Sequence, residues 1–109
     1  MTVNELLTVD GFEAVTVPDG DREMNGCYIG DLLSWVMGRA KADNAWITIM
    51  SNINIVAVAS LADVACIILA EGVEVDSSVR ETAEAKDVNI LSTKLPAYET
   101  AVLLNKVIL

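Results

Sequence analysis

The sequence predicts an α/β fold: a single domain with a mostly parallel sheet of about four to five strands and flanking helices. Two observations carry this expectation. After two early extended segments, helical and strand patterns alternate to the end of the chain, the order that yields parallel strands joined by helical crossovers. The most apolar strand pattern, Val64–Leu69, is a continuous aliphatic run, as expected for a strand buried on both faces. All 109 residues read as one domain, long enough to bury a core without disulfides or metals. No repeat, linker or low-complexity tract divides it.

Each element has a local reason. Thr2 and Glu5 have capping-box spacing, and Val3, Leu6 and Leu7 follow on one face of a short helix that Asp10-Gly11 closes. Phe12–Val17 reads as a strand, Pro18–Asp21 as a turn, and Met24–Ile29 as a second extended segment containing Gly26. Gly30-Asp31 opens a helix with Leu32, Leu33, Val36, Met37 and Ala40 on its apolar face and Asp31 as the expected N-cap. Trp46–Ile49 is a strand, followed by the polar linker Met50–Asn54. Ile55–Leu61 suits helix or strand on composition; a helix gives the strand–helix–strand order of a parallel crossover. Val64–Leu69 ends at Glu71-Gly72, and Ser78 and Glu81 form a second capping box for a helix to about Lys86. Val88–Leu91 is the last strand. Pro96 fits the first turn of a final helix with Ala97, Ala101, Leu104 and Ile108 along one face.

Hydrophobic residues make up 53% of the chain, aromatic residues only 5%, and mean hydropathy is +0.46. The core must therefore be aliphatic, and so small a body cannot hide that much apolar surface. A membrane or an oligomer interface is expected to take the surplus. The most apolar stretch, Ile55–Ala70, is interrupted by Ser60 and Asp63 and falls short of the roughly 20 residues of a spanning helix. The N-terminus lacks the basic start and apolar run of a signal peptide. The expectation is a cytoplasmic homodimer. The net charge of −9 and pI near 4.2 argue against nucleic acid and anionic membrane surfaces as partners, and keep an apolar chain in solution.

Catalytic chemistry has little to work with. Histidine is absent, which removes the commonest general base. Cys27 and Cys66 are far apart, form no CxxC motif, and read as small buried hydrophobes. There is no phosphate-gripping GxxxxGK[ST] run; Gly38-Arg39-Ala40-Lys41 lies at a helix end. Asp19, Asp21 and Glu23 lack the later acidic ligands of a calcium loop and read as a solvated turn. No catalytic residue, metal site or cofactor is expected.

The order of several short strings carries a family resemblance. Asp21-Arg22-Glu23, Gly26 and Gly30-Asp31-Leu32-Leu33-Ser34, then Asn54–Ser60, Ile67-Ile68-Leu69 and Asn89-Ile90-Leu91-Ser92-Thr93, resemble the DRTGG domain. The likeness covers nearly the whole chain and is strongest over 21–69 and 90–104. It implies a fold similar to the amino-terminal domain of HPr kinase, a regulatory role and pairing as a dimer. It does not support the "serine kinase" label of stand-alone relatives, since no phosphate-binding loop is present. The namesake Thr-Gly-Gly is replaced here by Glu23-Met24-Asn25-Gly26, which opens the question of what that loop still binds.

Candidate ligand-binding residues follow from the carboxyl ends of the strands, where open α/β sheets bind ligands. Gly30, Asp31 and Ser34 lie at one strand-to-helix junction, Ser51, Asn52 and Asn54 in the polar linker, and Thr93 after the last strand. Together they would form a polar rim. The competing reading is that Asp31 caps its helix and the Asn and Ser residues build turns. Trp35 falls off the apolar stripe of its helix and is the candidate dimer-interface anchor. The expected function is a non-catalytic, dimeric regulatory module whose partner is a small metabolite or nucleotide, or a partner enzyme. The alternative is a structural adaptor docking onto a metabolic or redox enzyme complex without a small ligand.

Overall fold

The computed structural model describes residues 1–108. Chain order is α1 (Val3–Leu6), β1 (Glu13–Thr16), β2 (Gly26–Ile29), α2 (Leu33–Arg39), β3 (Asn44–Thr48), α3 (Asn54–Ala62), β4 (Cys66–Leu69), α4 (Ser77–Ala85), β5 (Ile90–Ser92) and α5 (Ala97–Ile108). The strands form one five-stranded sheet in the order β1-β5-β4-β3-β2. Strands β2 to β5 are parallel, and β1 lies antiparallel to β5. This is the mostly parallel α/β architecture that the patterns predict, and Ile55–Leu61 is helical within α3.

The two-residue period of the strands sorts their side chains onto two faces. Trp46, Ile67, Leu69 and Ile90 pack against Val36 of α2, Val56 of α3, and Val79 and Ala83 of α4. Ala45, Ile47, Cys66, Ile68 and Leu91 turn the other way, onto Val3 and Leu6 of α1, Phe12 and Leu104 of α5. Each large aliphatic side chain fully buried here contributes about 1.5–3 kcal/mol. The three crossovers from β2 to β5 all step in one direction across the sheet, and right-handedness puts α2, α3 and α4 on the same face.

Each crossover ends in a left-handed aspartate: Asp43 (φ 68) before β3, Asp63 (φ 58) before β4 and Asp87 (φ 57) before β5. Aspartate tolerates this region better than most residues because its side chain is short and polar. Two of the three are tied together. Arg22 donates from Nε and Nη2 to Asp43 Oδ1 at 3.1 and 3.0 Å. Its Nη2 also donates to Asp63 Oδ1 at 2.7 Å and to the Asp63 carbonyl at 2.6 Å. Burial works against the Arg22 charge, but the hydrogen bonds to Asp63 and Asp43 outweigh it and raise the pKa above its ordinary value. Buried Asn89 adds a second tie at this edge. Its Nδ2 donates to the carbonyls of Asp19 and Ala65, and its Oδ1 accepts from the Asp19 N–H.

Several local expectations are corrected. Asp31 is not an N-cap; Leu32 holds that position with no side-chain bond, and the Asp31 carboxylate turns toward β3 instead. Leu32 and Met37 are about half exposed, because α2 lies over the terminal strand of the sheet and covers only its margin. The helix α4 is capped by Asp76, which accepts from the Val79 N–H, while Ser78 sits inside the helix and donates its hydroxyl to Asp76. The helix α1 ends at Leu7, short of Asp10-Gly11, while its capping box forms as expected.

Three outcomes are expected. Replacing Arg22 with methionine should cost about 1–2 kcal/mol in denaturant unfolding, the lower part of the range for charged hydrogen bonds because Asp43 and Asp63 are half exposed. Arg22→Lys should restore little, since a single ammonium cannot fork between two residues. Asp87→Gly should gain about 0.5–1 kcal/mol by relieving the left-handed backbone, whereas Asp63→Gly should lose stability because it also removes a partner of Arg22. Asp76 is held below its ordinary pKa by the Ser78 hydroxyl and the Val79 N–H. A lowered folded-state value means that its contribution is full above the unfolded value, near ~4, and is lost as pH falls through the folded one. Tm measured against pH should therefore show Asp76→Ala below the parent at neutral pH, with the gap closing in acid.

Candidate functional site

The expected site residues fall into separate groups. The Gly30 carbonyl accepts the Trp46 indole N–H at 2.9 Å, and a Cβ on Gly30 would stand 2.9 Å from the Tyr28 ring. Asp31 Oδ1 accepts from the Thr48 hydroxyl at 2.8 Å and the Ile49 N–H at 3.0 Å. Asn52 Oδ1 accepts from the Asn54 N–H at 2.9 Å and shapes the turn into α3. Ser34, Ser51 and Asn54 are exposed. All of these stand at the carboxyl ends of β2 and β3. Thr93 follows β5, on the far side of β4, about 10 Å from β3 across two strand spacings. It is buried; its N–H donates to the Leu69 carbonyl and its hydroxyl accepts from the Leu95 N–H. The structure therefore brings Gly30, Asp31 and Ser51–Asn54 to one end of the edge and leaves Thr93 at the other. Trp35 is 52% exposed, with the Arg39 guanidinium 3.8 Å above its ring.

A crevice forms in an open α/β sheet where neighbouring strands send their connections to opposite faces. The connections after β2, β3 and β4 all leave toward one face. The first divergence lies between β4, which leads to α4, and β5, which leads to α5. A cleft of about 710 Å³ opens at that point, within the range of small-molecule sites. It is lined by Gly72–Glu74 after β4, by Ser92–Leu95 after β5, and by Leu7–Glu13, the turn leading into β1. Glu71 (φ 62) and Gly72 (φ 71) turn the chain away from β4 in two successive left-handed steps, the second of which suits glycine. Their N–H groups donate to the carbonyls of Leu95 and Thr93, each at 2.9 Å, and pin the two diverging loops to each other.

Of the expected site residues, only Thr93 lines this cleft. The sequence signals for the rest were read as punctuation: Glu71-Gly72 as a strand end and Asp10-Gly11 as a helix end. The carboxylates of Asp10, Glu13 and Glu74 line the cleft against the single ammonium of Lys94, so it disfavours polyanions and suits neutral or cationic groups that donate hydrogen bonds. Among the described residues, no group of three or more His, Cys, Asp or Glu side chains is placed to hold a metal ion. Cys66 is buried as expected, but Cys27, on the terminal strand β2, is exposed, which corrects its reading as a core residue; partial desolvation pushes the Cys27 thiol up to about 11 and full burial pushes Cys66 up to about 12. Among the described residues, no helix is long and apolar enough to cross a membrane.

Comparison with known proteins agrees with the fold. The crystal structure of the CBS and DRTGG domains of the regulatory region of Clostridium perfringens pyrophosphatase, complexed with the activator diadenosine tetraphosphate, is similar to this chain with a TM-score of 0.69 at 14% identity. The match covers 94% of this chain and 43% of that one. No curated protein matches the sequence. The DRTGG domain model matches residues 18–107, from the turn before β2 through α5. The chain belongs to the DRTGG domain family.

Proposed function

We propose that this chain is a non-catalytic regulatory module that binds a small ligand in the β4–β5 cleft and works as a homodimer. The observation that carries the reading is the coincidence of a cleft of about 710 Å³ with the point where the connections diverge, in a chain without histidine. The ligand biases the module between two forms that differ in affinity for it, and so biases whatever the module is coupled to. The pyrophosphatase neighbour is complexed with a dinucleotide. In this chain the charge of the cleft favours a neutral or cationic metabolite with donor groups over a polyphosphate. Trp35 anchors the dimer contact: a half-exposed indole beside Leu32 is a large apolar area left open on a chain of net charge −9.

The adaptor reading draws on a different feature. A groove of about 400 Å³ between α3 and α4, lined by Ile53, Val56, Ala57 and Leu61 with Lys86 beside them, would receive an apolar side chain of a partner protein.

Differential scanning of the chain against a metabolite panel separates the two readings. A ligand that binds only the native form at 100 times its Kd stabilises by about 2.7 kcal/mol. The expected result is a rise in Tm with a neutral or cationic compound, none with diadenosine tetraphosphate, and loss of a cationic compound's effect in Glu74→Lys. The free Glu74→Lys chain should unfold within about 0.5 kcal/mol of the parent, as surface substitutions do. Indifference to every compound would favour the adaptor. Light scattering should give a dimer mass, and an unchanged dimer in Trp35→Ala would remove Trp35 from the contact.

A further inference from the structure

We propose that two copies of this chain pair through the outer edge of β2, antiparallel about a two-fold axis, to make one continuous ten-stranded sheet from the two five-stranded ones. This rests on the homodimer reading and gives it a surface and a register.

The two edges of the sheet differ. An unpaired strand edge is a template for another strand, and proteins guard it with charges, proline, bulges or covering elements. The β1 edge has such guards: Glu13 at its start, a bulge between Ala14 and Thr16, and Pro18 just beyond its end. Met1–Val3 cover the run into β2 by bonding Arg22–Met24, but from Asn25 to Gly30 the β2 edge has none. Residues 24–30, Met-Asn-Gly-Cys-Tyr-Ile-Gly, carry no charge and no proline, and their register with β3 runs without a shift.

Apolar side chains flank the open edge on both faces. Cys27 and Ile29 pair with Ala45 and Ile47, which face α1 and α5, so they stand on that side of the sheet. Ile29 is 49% exposed. On the opposite face Tyr28 packs with the α2 side of the core, and the exposed Leu32 and Trp35 follow at the start of α2. A second copy is the occupant that fits. The strip is the uncharged part of an acidic surface, where two chains of net charge −9 can approach. A strand paired with itself also satisfies a closed two-fold contact.

The backbone sets the register. The Gly30 N–H donates inward to the Ile47 carbonyl, so strand alternation turns Tyr28 and Gly26 inward with it and leaves the N–H and C=O groups of Cys27 and Ile29 outward. Antiparallel pairing of Cys27 in one copy with Cys27 in the other, on the two-fold axis, uses the outward groups of both and sets Ile29 opposite Asn25. The two copies of Cys27 then stand directly opposite each other as a hydrogen-bonded pair with Cα atoms about 5.5 Å apart, within reach of a disulfide. The pairing stops at Asn25, because Glu23 bridges Thr2 of its own chain, so Glu23 and the Asp31 of the other copy meet only at its margin. Each carboxylate already has partners, Glu23 the Met1 ammonium and Asp31 the Thr48 hydroxyl and Ile49 N–H.

The test is oxidation of the native chain by copper(II)–phenanthroline, which takes two electrons from a pair of thiols as their two protons leave to water. It is read on a denaturing gel beside light scattering of the unoxidised chain. Cys66 is fully buried and cannot contribute to the cross-link. The expected result is a dimer mass and a cross-linked dimer that forms at a rate independent of dilution and is absent in Cys27→Ser. Ile29→Lys should keep the circular dichroism of the parent and raise the dimer dissociation constant by about 100-fold, the scale of one unpaired charge at a buried contact. A dimer that neither cross-links nor responds to Ile29→Lys would overturn the strand pairing while leaving the homodimer standing. A monomer at every concentration would overturn both.

Discussion

A parallel strand pair joined by a right-handed crossover leaves only one face for its helix. Here β2, β3, β4 and β5 are laid down side by side in chain order, so the constraint repeats three times and stacks α2, α3 and α4 on one face. The other face is left for α1 and α5, and α5 can reach it only by leaving β5 in the opposite direction. That single reversal sets the location of the cleft. The same winding makes β2 a terminal strand, with α2 lying over the margin of the sheet. This is why Leu32, Trp35 and Ile29 remain exposed at that margin of the sheet.

The two ends of the sheet have different tasks. At the amino edge the chain is held rigid: Arg22 bridges Asp43 and Asp63, and Asn89 fastens the turn at Asp19. The Asp21-Arg22 pair that carries the family resemblance thus belongs to the scaffold in this chain, at the end opposite the cleft. Replacement of the namesake Thr-Gly-Gly by Glu23-Met24-Asn25-Gly26 changes the run into β2, where Asn25 bonds Asn44 and the Ala42 carbonyl, and leaves the cleft lining untouched. At the carboxyl edge backbone hydrogen bonds from Glu71 and Gly72 to Leu95 and Thr93 join the loops after β4 and β5, and the cleft opens between those loops.

Much of the fold was legible because periodicity and turn chemistry agree along the chain. The capping box at Thr2 and Glu5, the buried run Val64–Leu69 and the left-handed turn at Glu71-Gly72 each state their structure locally. The errors share a cause. Asp31 and Ser78 have the chemistry of caps, but Asp31 finds Thr48 on a neighbouring strand and Ser78 gives way to Asp76 two residues earlier. Local spacing does not report a tertiary partner. The recurrence of Asp at 43, 63 and 87 escaped notice because the residues around it differ and only the backbone conformation is shared. The cleft was illegible for a stronger reason: its three walls lie far apart in the chain and meet only through the direction in which β5 is left. Of the residues singled out from the sequence, Thr93 lines the cleft, while Gly30, Asp31, Ser34 and Ser51–Asn54 gather at the carboxyl ends of β2 and β3.

The edge strand and the cleft lie at opposite margins of the same sheet, so a dimer formed through β2 leaves both clefts open and turned outward. On the proposed reading, this chain responds to a small ligand at the β4–β5 divergence. Backbone amide shifts of the isotope-labelled chain, followed through addition of neutral and cationic metabolites, test it most directly. A compound that binds there moves the signals of Gly11–Glu13, Gly72–Glu74 and Ser92–Leu95 together. Shifts gathered instead at Gly30, Asp31 and Ser51–Asn54, or no response to any compound, would contradict it.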